Sequence, residues 1–370
     1  MQSKMDVVIF EGNQANSPVE ELLVHARHAA LQDNLAKILA LPDVNRVFLV
    51  TNRPELTVWS DERILPVLNK TAPADFHFGR ELFSLVERYR LKAILCLGGA
   101  AVPLISQAEL TDAVRLVLSK PGRYVTNNVQ SADILAFNPA TVLKEHPLPA
   151  TDNALVLLLR YGAGFEQCLL PTTPGTQFDI DTPTDLLLLA ASPFGGPALR
   201  AALSSLQLNT TPVKRLKEVL RGQYPEVALI GRVGAPAIAL LNQNFKVRLR
   251  VFSEERGMKS LGRLERNEVV SLLGYFLEEV GLERFFKYLE RTVQAALIDT
   301  RVLFAHLKKP LSDADRFYSD LGFYEQVEDE FVREFTRAAS QCAIPILLGG
   351  HSLVSGCLWV LVEEIGCLIS

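Results

Sequence analysis

The sequence predicts an α/β protein built of two three-layer domains. Short apolar runs alternate with longer segments of helical period, the pattern of a parallel sheet with helices on its faces. At 370 residues the length favours two cores over one. The segment SPFGGP (192–197) holds two prolines and two glycines in six residues. That composition places a boundary there, giving domains of 1–193 and 197–370.

Each element has a local reason. VVIF (7–10) reads as a first strand buried on both faces. The following helical stretch spaces Leu31, Leu35 and Ile38 four and three residues apart, on one face against the sheet. RVFLVT (46–51) and AILCL (93–97) are the next strands, and a helix is expected from about Glu109. RYVT (123–126) and DILAF (133–137) are shorter strand candidates. A helix is expected from TDN (151–153), where Asp152 can accept a backbone N–H bond, to Gly162, which suits a left-handed terminus.

The second half repeats the alternation. VALIG (227–231) runs into GRVGAPAIALL, and KVRLRVF (246–252) alternates apolar with basic residues. Helical period spans about 266–292 and 324–341. ALIDTRVLFAHL (296–307) is a strand candidate, and IPILLGG (344–350) leads into a final helix at SLVSGCLWVLVEEIG. This half is expected to be a Rossmann-like three-layer domain.

Composition narrows the function classes. The formal net charge is −4, and no Lys/Arg cluster forms the basic footprint that nucleic acid or an anionic membrane requires. The expected partner is a small-molecule ligand, with no nucleic acid and no membrane; a homo-oligomer stays open. The 5 cysteines are scattered with no CxxC pair, so neither a disulfide framework nor a zinc site is indicated. No apolar stretch approaches the roughly 18 residues of a membrane span. A reducing cytoplasm is the expected location.

DIDTPTDL (179–186) packs three aspartates against leucines. Thr182 is a natural helix N-cap, Pro183 fits the first helical position, and Asp185 stands three beyond the cap, close to a capping box. The same stretch resembles the DIDTPEDL segment that closes the GT-A type nucleotidyltransferase domain, as in molybdenum-cofactor and phospholactate guanylyltransferases and methylerythritol-phosphate cytidylyltransferases. LPDVNRVFLVTNRPEL (41–56) is similar to that family's helix-to-strand step, and LCLGGAAVPLISQAEL (95–110) to its strand and acidic Pro-Leu turn. The resemblance covers about residues 5–191. It implies a GT-A-like (MobA-like) fold, Mg²⁺, and an NTP whose nucleotidyl group passes to a small phosphorylated or carboxylated acceptor.

Two departures accompany the resemblance. The family's glycine-rich phosphate loop with its Arg and Lys becomes EGNQANSPVEELLVHARH, with Gly12 as its one glycine and no basic group before His25. The metal-binding aspartate before the Pro-Leu turn is replaced: Ala100, Ala101 and Val102 precede Pro103. Candidate substitutes are Asp133 and Asp179 for the metal, with Asp133 also catalytic and Asp152 a further candidate. Asn127 and Asn128 are candidate ligand contacts, with turn formation as the equal alternative. Gly98 and Gly99 either let a base or ribose approach or form a tight turn.

In the second domain, LLGGHSLVSG places Gly349, Gly350, His351 and Ser352 after a strand. His351 is a candidate acid or base, and Gly350 and Ser352 are candidate anion contacts; the simpler alternative makes Ser352 an N-cap. The spacing is not that of a GxSxG nucleophile elbow. If the strands are parallel, Arg232, Arg256, Lys259, Arg301 and His351 gather at one edge as an anion pocket, with Asp299 or Glu254 as acidic partner. Three readings therefore stand: nucleotidyl transfer, a non-catalytic relative that binds a nucleotide or sugar phosphate, or chemistry confined to the second domain.

Overall fold

The computed structural model describes residues 4–12, 15–72, 75–259 and 261–366. By its packing the chain forms two compact units, one from residues 1–14 and 27–177, the other from 15–26 and 178–370. The helix Pro18–Leu39 contributes to both. Residues 178–193 thus pack with the second unit, and SPFGGP lies inside it, where Arg200 Nη1 donates to the carbonyls of Leu189 (2.8 Å) and Ser192 (2.9 Å).

The first unit holds a seven-stranded sheet of order β3-β2-β1-β4-β6-β5-β7. Its strands are β1 (Met5–Glu11), β2 (Val44–Thr51), β3 (Ile64–Leu68), β4 (Ile94–Gly98), β5 (Arg123–Thr126), β6 (Ile134–Asn138) and β7 (Glu166–Leu169). β1 through β4 run parallel, and β6 lies antiparallel to β4 and β5. Alternation of period two divides the side chains between the faces. Val7, Ile9, Val47, Leu49 and Leu95 join Leu31, Leu35 and Ile38 of the first helix on one face. Val8, Phe48, Val50 and Ile94 meet Phe78, Leu82 and Leu85 on the other.

β3 and β7 are the sheet's two edges, and sequence reading missed both. ILPVL carries a proline, tolerated because an edge strand has an open side, and EQCL has no fully buried residue. The amphipathic helix Phe78–Tyr89, capped by His77, was missed as well. The helix at TDN begins at Asp152 after Thr151 and passes through a π-helical turn, Leu158–Gly162.

The second unit holds four parallel strands: β8 (Glu226–Gly231), β9 (Arg248–Ser253), β10 (Ala295–Asp299) and β11 (Ile346–Gly349), in the order β11-β10-β8-β9. Ala228, Ile230, Ala296, Ile298 and Leu348 pack on Phe285, Phe286, Phe304 and Phe335. The α/β expectation holds in both units. Several boundaries shift, among them the helix expected over 324–341, which spans Glu330–Ser340. The strand expected over 296–307 stops at Asp299, which caps a helix, Thr300–His306; an N-cap at a strand end switches the period. The helix expected from 266 starts at Leu272 and is interrupted at Gly281, φ 75°. The last helix starts at Gly356, after a 3₁₀ turn at His351–Val354. Among the described residues no helix is long and apolar enough to cross a membrane.

Candidate functional sites at two sheet edges

In the first unit, parallel pairing aligns the carboxyl ends of three neighbouring strands: Glu11 faces Thr51, and Thr51 faces Leu68. Gly12, Asn52 and Asn69 each stand one residue further on. A Cβ on Gly12 would lie 3.2 Å from Asn52 Oδ1, so the glycine allows that approach. Asn69 is held by its own N–H to the Thr51 carbonyl, 2.7 Å, and its Oδ1 accepts from Thr71 N, 2.8 Å. Three buried polar atoms here have no hydrogen-bond partner among the described residues: Asn52 Oδ1, Asn69 Nδ2 and His28 Nε2. Burial lowers the His28 pKa below 6.5, Glu11 opposes that, and Arg53 adds to it, so the imidazole is neutral at pH 7. Asn52 and Asn69 escaped sequence reading because polar residues after a strand look like ordinary turn formers. The alignment of the three strand ends is what makes them a set.

Glu11 is buried and accepts from Arg27, with Nη2 at 3.2 Å and Nε at 3.4 Å. A Cβ on Gly99 would sit 2.3 Å from Glu11 Oε2. Gly99 is therefore required by its own protein's carboxylate, which fills the space a ribose or base would have needed. A Cβ on Gly98 would meet Ala101, with its Cβ at 3.4 Å. Of the expected phosphate loop, Asn13 and Gln14 lie outside the described residues.

The turn after β4 is built from backbone. Val102 has φ 44° and is fully buried, a costly conformation for a β-branched residue. Asn34 Nδ2 holds the Ala101 carbonyl at 2.9 Å, and Lys37 Nζ holds those of Pro103 (3.0 Å) and Ile105 (2.9 Å). Burial brings the Lys37 pKa down to about 8. Asn127 closes the β5–β6 turn: Oδ1 accepts from Asp133 N (3.1 Å), and Nδ2 donates to Asp133 Oδ2 (2.7 Å) and Thr176 O (2.9 Å). Asn128 Oδ1 accepts from Gln130 N, 2.9 Å. Both asparagines thus do the work of turn residues.

The Mg²⁺ implied by the resemblance does not fit these residues. No carboxylate lies on the Ala100–Pro103 turn, Glu11 is ion-paired, and the Asp133 carboxylate accepts from Asn127. Asp179 belongs to the second unit, where its Oδ1 accepts from Ile180 N at 2.8 Å. Among the described residues no group of three or more His, Cys, Asp or Glu is placed to hold a metal ion.

In the second unit the carboxyl ends of β8, β10 and β11 bring together much of the expected pocket. Asp299 is fully buried and accepts from Arg232 through Nε (2.6 Å) and Nη2 (3.0 Å). Gly231, φ 111°, leaves room for it: a Cβ would come 2.5 Å from Asp299 Cβ. Thr300 Oγ1 donates to the Gly349 carbonyl across the strand ends, 3.3 Å. His351 keeps an exposed edge, yet surrounding protein desolvates its ring and lowers its pKa; Arg232 and Arg256 act in the same direction, Asp299 and Asp181 against. Arg256 lies beside the next turn, with Nη2 3.6 Å from the position of a Cβ on Gly234.

Four candidates are engaged elsewhere. Arg301 is partly buried and bidentate to Asp320, with Nη1–Oδ1 2.8 Å and Nη2–Oδ2 2.6 Å. Ser352 Oγ donates to Asp185 Oδ1 at 2.6 Å, so it is neither an N-cap nor exposed. Gly350 is the N-cap of the 3₁₀ turn and packs toward Thr182, 2.9 Å from a Cβ to Cγ2. Glu254 accepts from Ser271 Oγ (2.6 Å) and Leu272 N (2.6 Å). In DIDTPTDL the capping box forms, with Asp185 Oδ2 accepting from Thr182 N at 2.7 Å. Asp185 is wholly buried, and burial raises its pKa to about 6. The cluster is a strut beneath the GGHS turn.

No family model and no curated protein matches the chain. Solved structures with similar folds include a cytidylyltransferase from Leptospira borgpetersenii, at 16% identity and TM-score 0.38, covering 50% of this chain and 85% of that one. A 4-diphosphocytidyl-2C-methyl-D-erythritol synthase from Anaerococcus prevotii matches at 11% and 0.39, covering 56% and 97%. A CMP:2-keto-3-deoxy-manno-octonic acid synthetase complexed with CTP matches at 14% and 0.38, covering 51% and 98%. Likeness of this size leaves function to the chain's own residues.

Proposed function

We propose that the first unit binds a nucleotide, with the base against His28, Asn52 and Asn69 at the carboxyl edge of β1, β2 and β3. The observation that carries this reading is the set of buried atoms without partners among the described residues, His28 Nε2, Asn52 Oδ1 and Asn69 Nδ2. Each unpaired buried polar group costs on the order of 1–3 kcal/mol, and a planar ligand with alternating donors and acceptors relieves that cost. A nucleobase edge is such a ligand. The set is neutral, which suits a base better than a phosphate.

Nucleotidyl transfer to a small phosphorylated or carboxylated acceptor is the activity that the resemblance at DIDTPTDL and at residues 41–56 supports. Glu11 counts against a tight grip on triphosphate, since it takes up the charge of Arg27. Binding is therefore the stronger half of the proposal, and transfer the second reading.

The test is thermal stabilisation by ATP, GTP, CTP and UTP, each with and without Mg²⁺, on the full chain and on Asn69→Ala. One nucleotide should stabilise the wild type by about 2.7 kcal/mol at 100 times Kd, and Asn69→Ala should lose that response. Silence from all four at millimolar concentration sinks the proposal. Pyrophosphate release with the stabilising nucleotide separates transfer from binding alone.

A further inference from the structure

The second unit carries a different electrostatic arrangement. In the order β11-β10-β8-β9 the chain leaves β8 toward β9 on one side and β10 lies on the other. Connections diverge at such a switch point and leave a crevice at the carboxyl edge. Three basic groups converge there from separate connections: Arg232 after β8, Arg256 after β9 and His351 after β11.

Their environments differ in a telling way. Arg232 is aimed by a wholly buried carboxylate, and its side chain is 16% exposed. Its Nε and Nη2 are committed to Asp299, which fixes the guanidinium plane. Arg256 is exposed and has no ion pair among the described residues, yet it lies close enough to influence His351 together with Arg232. The two cations flank the imidazole together with two carboxylates, Asp299, which is engaged by Arg232, and exposed Asp181, and an oxyanion that reaches Arg256 is drawn by both guanidinium groups. Gly231 makes room for Asp299, and a Cβ on Gly234 would stand 3.6 Å from Arg256 Nη2. Arginine is the side chain best shaped for planar oxyanions.

We propose that the carboxyl edge of β8, β10 and β11 is a binding site for the oxyanion group of a small molecule, a phosphate or a carboxylate, held by Arg256 and Arg232 with His351 as a further hydrogen-bonding partner. The site lies within the second unit and does not depend on nucleotide binding by the first.

The experiment is calorimetric titration of the full chain, in a buffer free of phosphate and carboxylates, with inorganic phosphate and separately with succinate. Alongside it, the His351 ring resonances are followed by NMR. Saturable binding of either anion that shifts the His351 signals is expected, and the stronger anion names the group. Arg256→Gln should weaken binding about tenfold or more, equal to about 1.4 kcal/mol, without changing the melting temperature of the anion-free protein. His351→Gln should weaken it less. Failure of both anions to bind at 50-fold excess over about 1 mM protein, or binding that Arg256→Gln leaves intact, overturns the proposal.

Discussion

The carboxyl edges of the two sheets obey one topological rule and solve opposite electrostatic problems. In the first unit Arg27 is paired with buried Glu11, and the buried polar atoms left without partners among the described residues are neutral. In the second, buried Asp299 fixes Arg232, while Arg256 is exposed and has no ion pair among the described residues. Parallel strands choose where a ligand can approach. The carboxylates set among them choose which kind of ligand that is.

The comparison breaks first at Asp299. In Asp299→Ala, Arg232 loses its partner in a low-dielectric setting, and the expected cost is about 3 kcal/mol, read by urea denaturation. A loss under 1 kcal/mol would show that Arg232 is solvated and not aimed by Asp299. Arg256→Gln, by contrast, should leave stability unchanged.

Asp185 gives a pH signature. Its folded pKa of about 6 lies above the ordinary 3.8, so the native state holds that proton more tightly than the unfolded chain. Ionisation therefore costs stability as pH rises from 4 to 6, and the cost is constant above that, up to about 3 kcal/mol. In Asp185→Asn this slope should vanish, the variant gaining on the wild type as pH rises through that window. Parallel stability curves for the two proteins between pH 4 and 7 would contradict the burial argument.

Gly99→Ala tests the other edge. The new methyl must displace the Glu11 carboxylate, at a cost of about 1–3 kcal/mol. The double variant Gly99→Ala, Glu11→Ala should recover part of it, and absence of recovery in a double-mutant cycle would separate the two residues. The smallest effect belongs to Ser106→Ala, which removes half of the capping box with Glu109; about 1 kcal/mol is expected, and no change in melting temperature would mean that Glu109 caps alone.

Much of the fold was legible because burial writes itself into periodicity. VVIF, RVFLVT, AILCL and VALIG are strands buried on both faces, and Leu31, Leu35 and Ile38 mark the helix packed on them. The two edge strands were illegible for the same reason: Pro66 and the half-exposed EQCL carry no double-sided burial. Arg301 illustrates the limit for sites. Beside Asp299 in the chain it reads as a pocket residue, yet Asp320, 19 positions away, turns it into the interior.

By itself the sequence determined the α/β class, most central strands, the capping box at DIDTPTDL and the missing carboxylate before Pro103. Each of these depends on neighbours within a few residues, where spacing alone sets which groups meet. Only the tertiary structure decided that Glu11 fills the space over Gly99, that Asn52 and Asn69 line up with Gly12, and that Arg232 and His351 share an edge while Arg301 leaves it. Those pairings arise from strand order and register, which bring together residues tens of positions apart, and no local pattern records them.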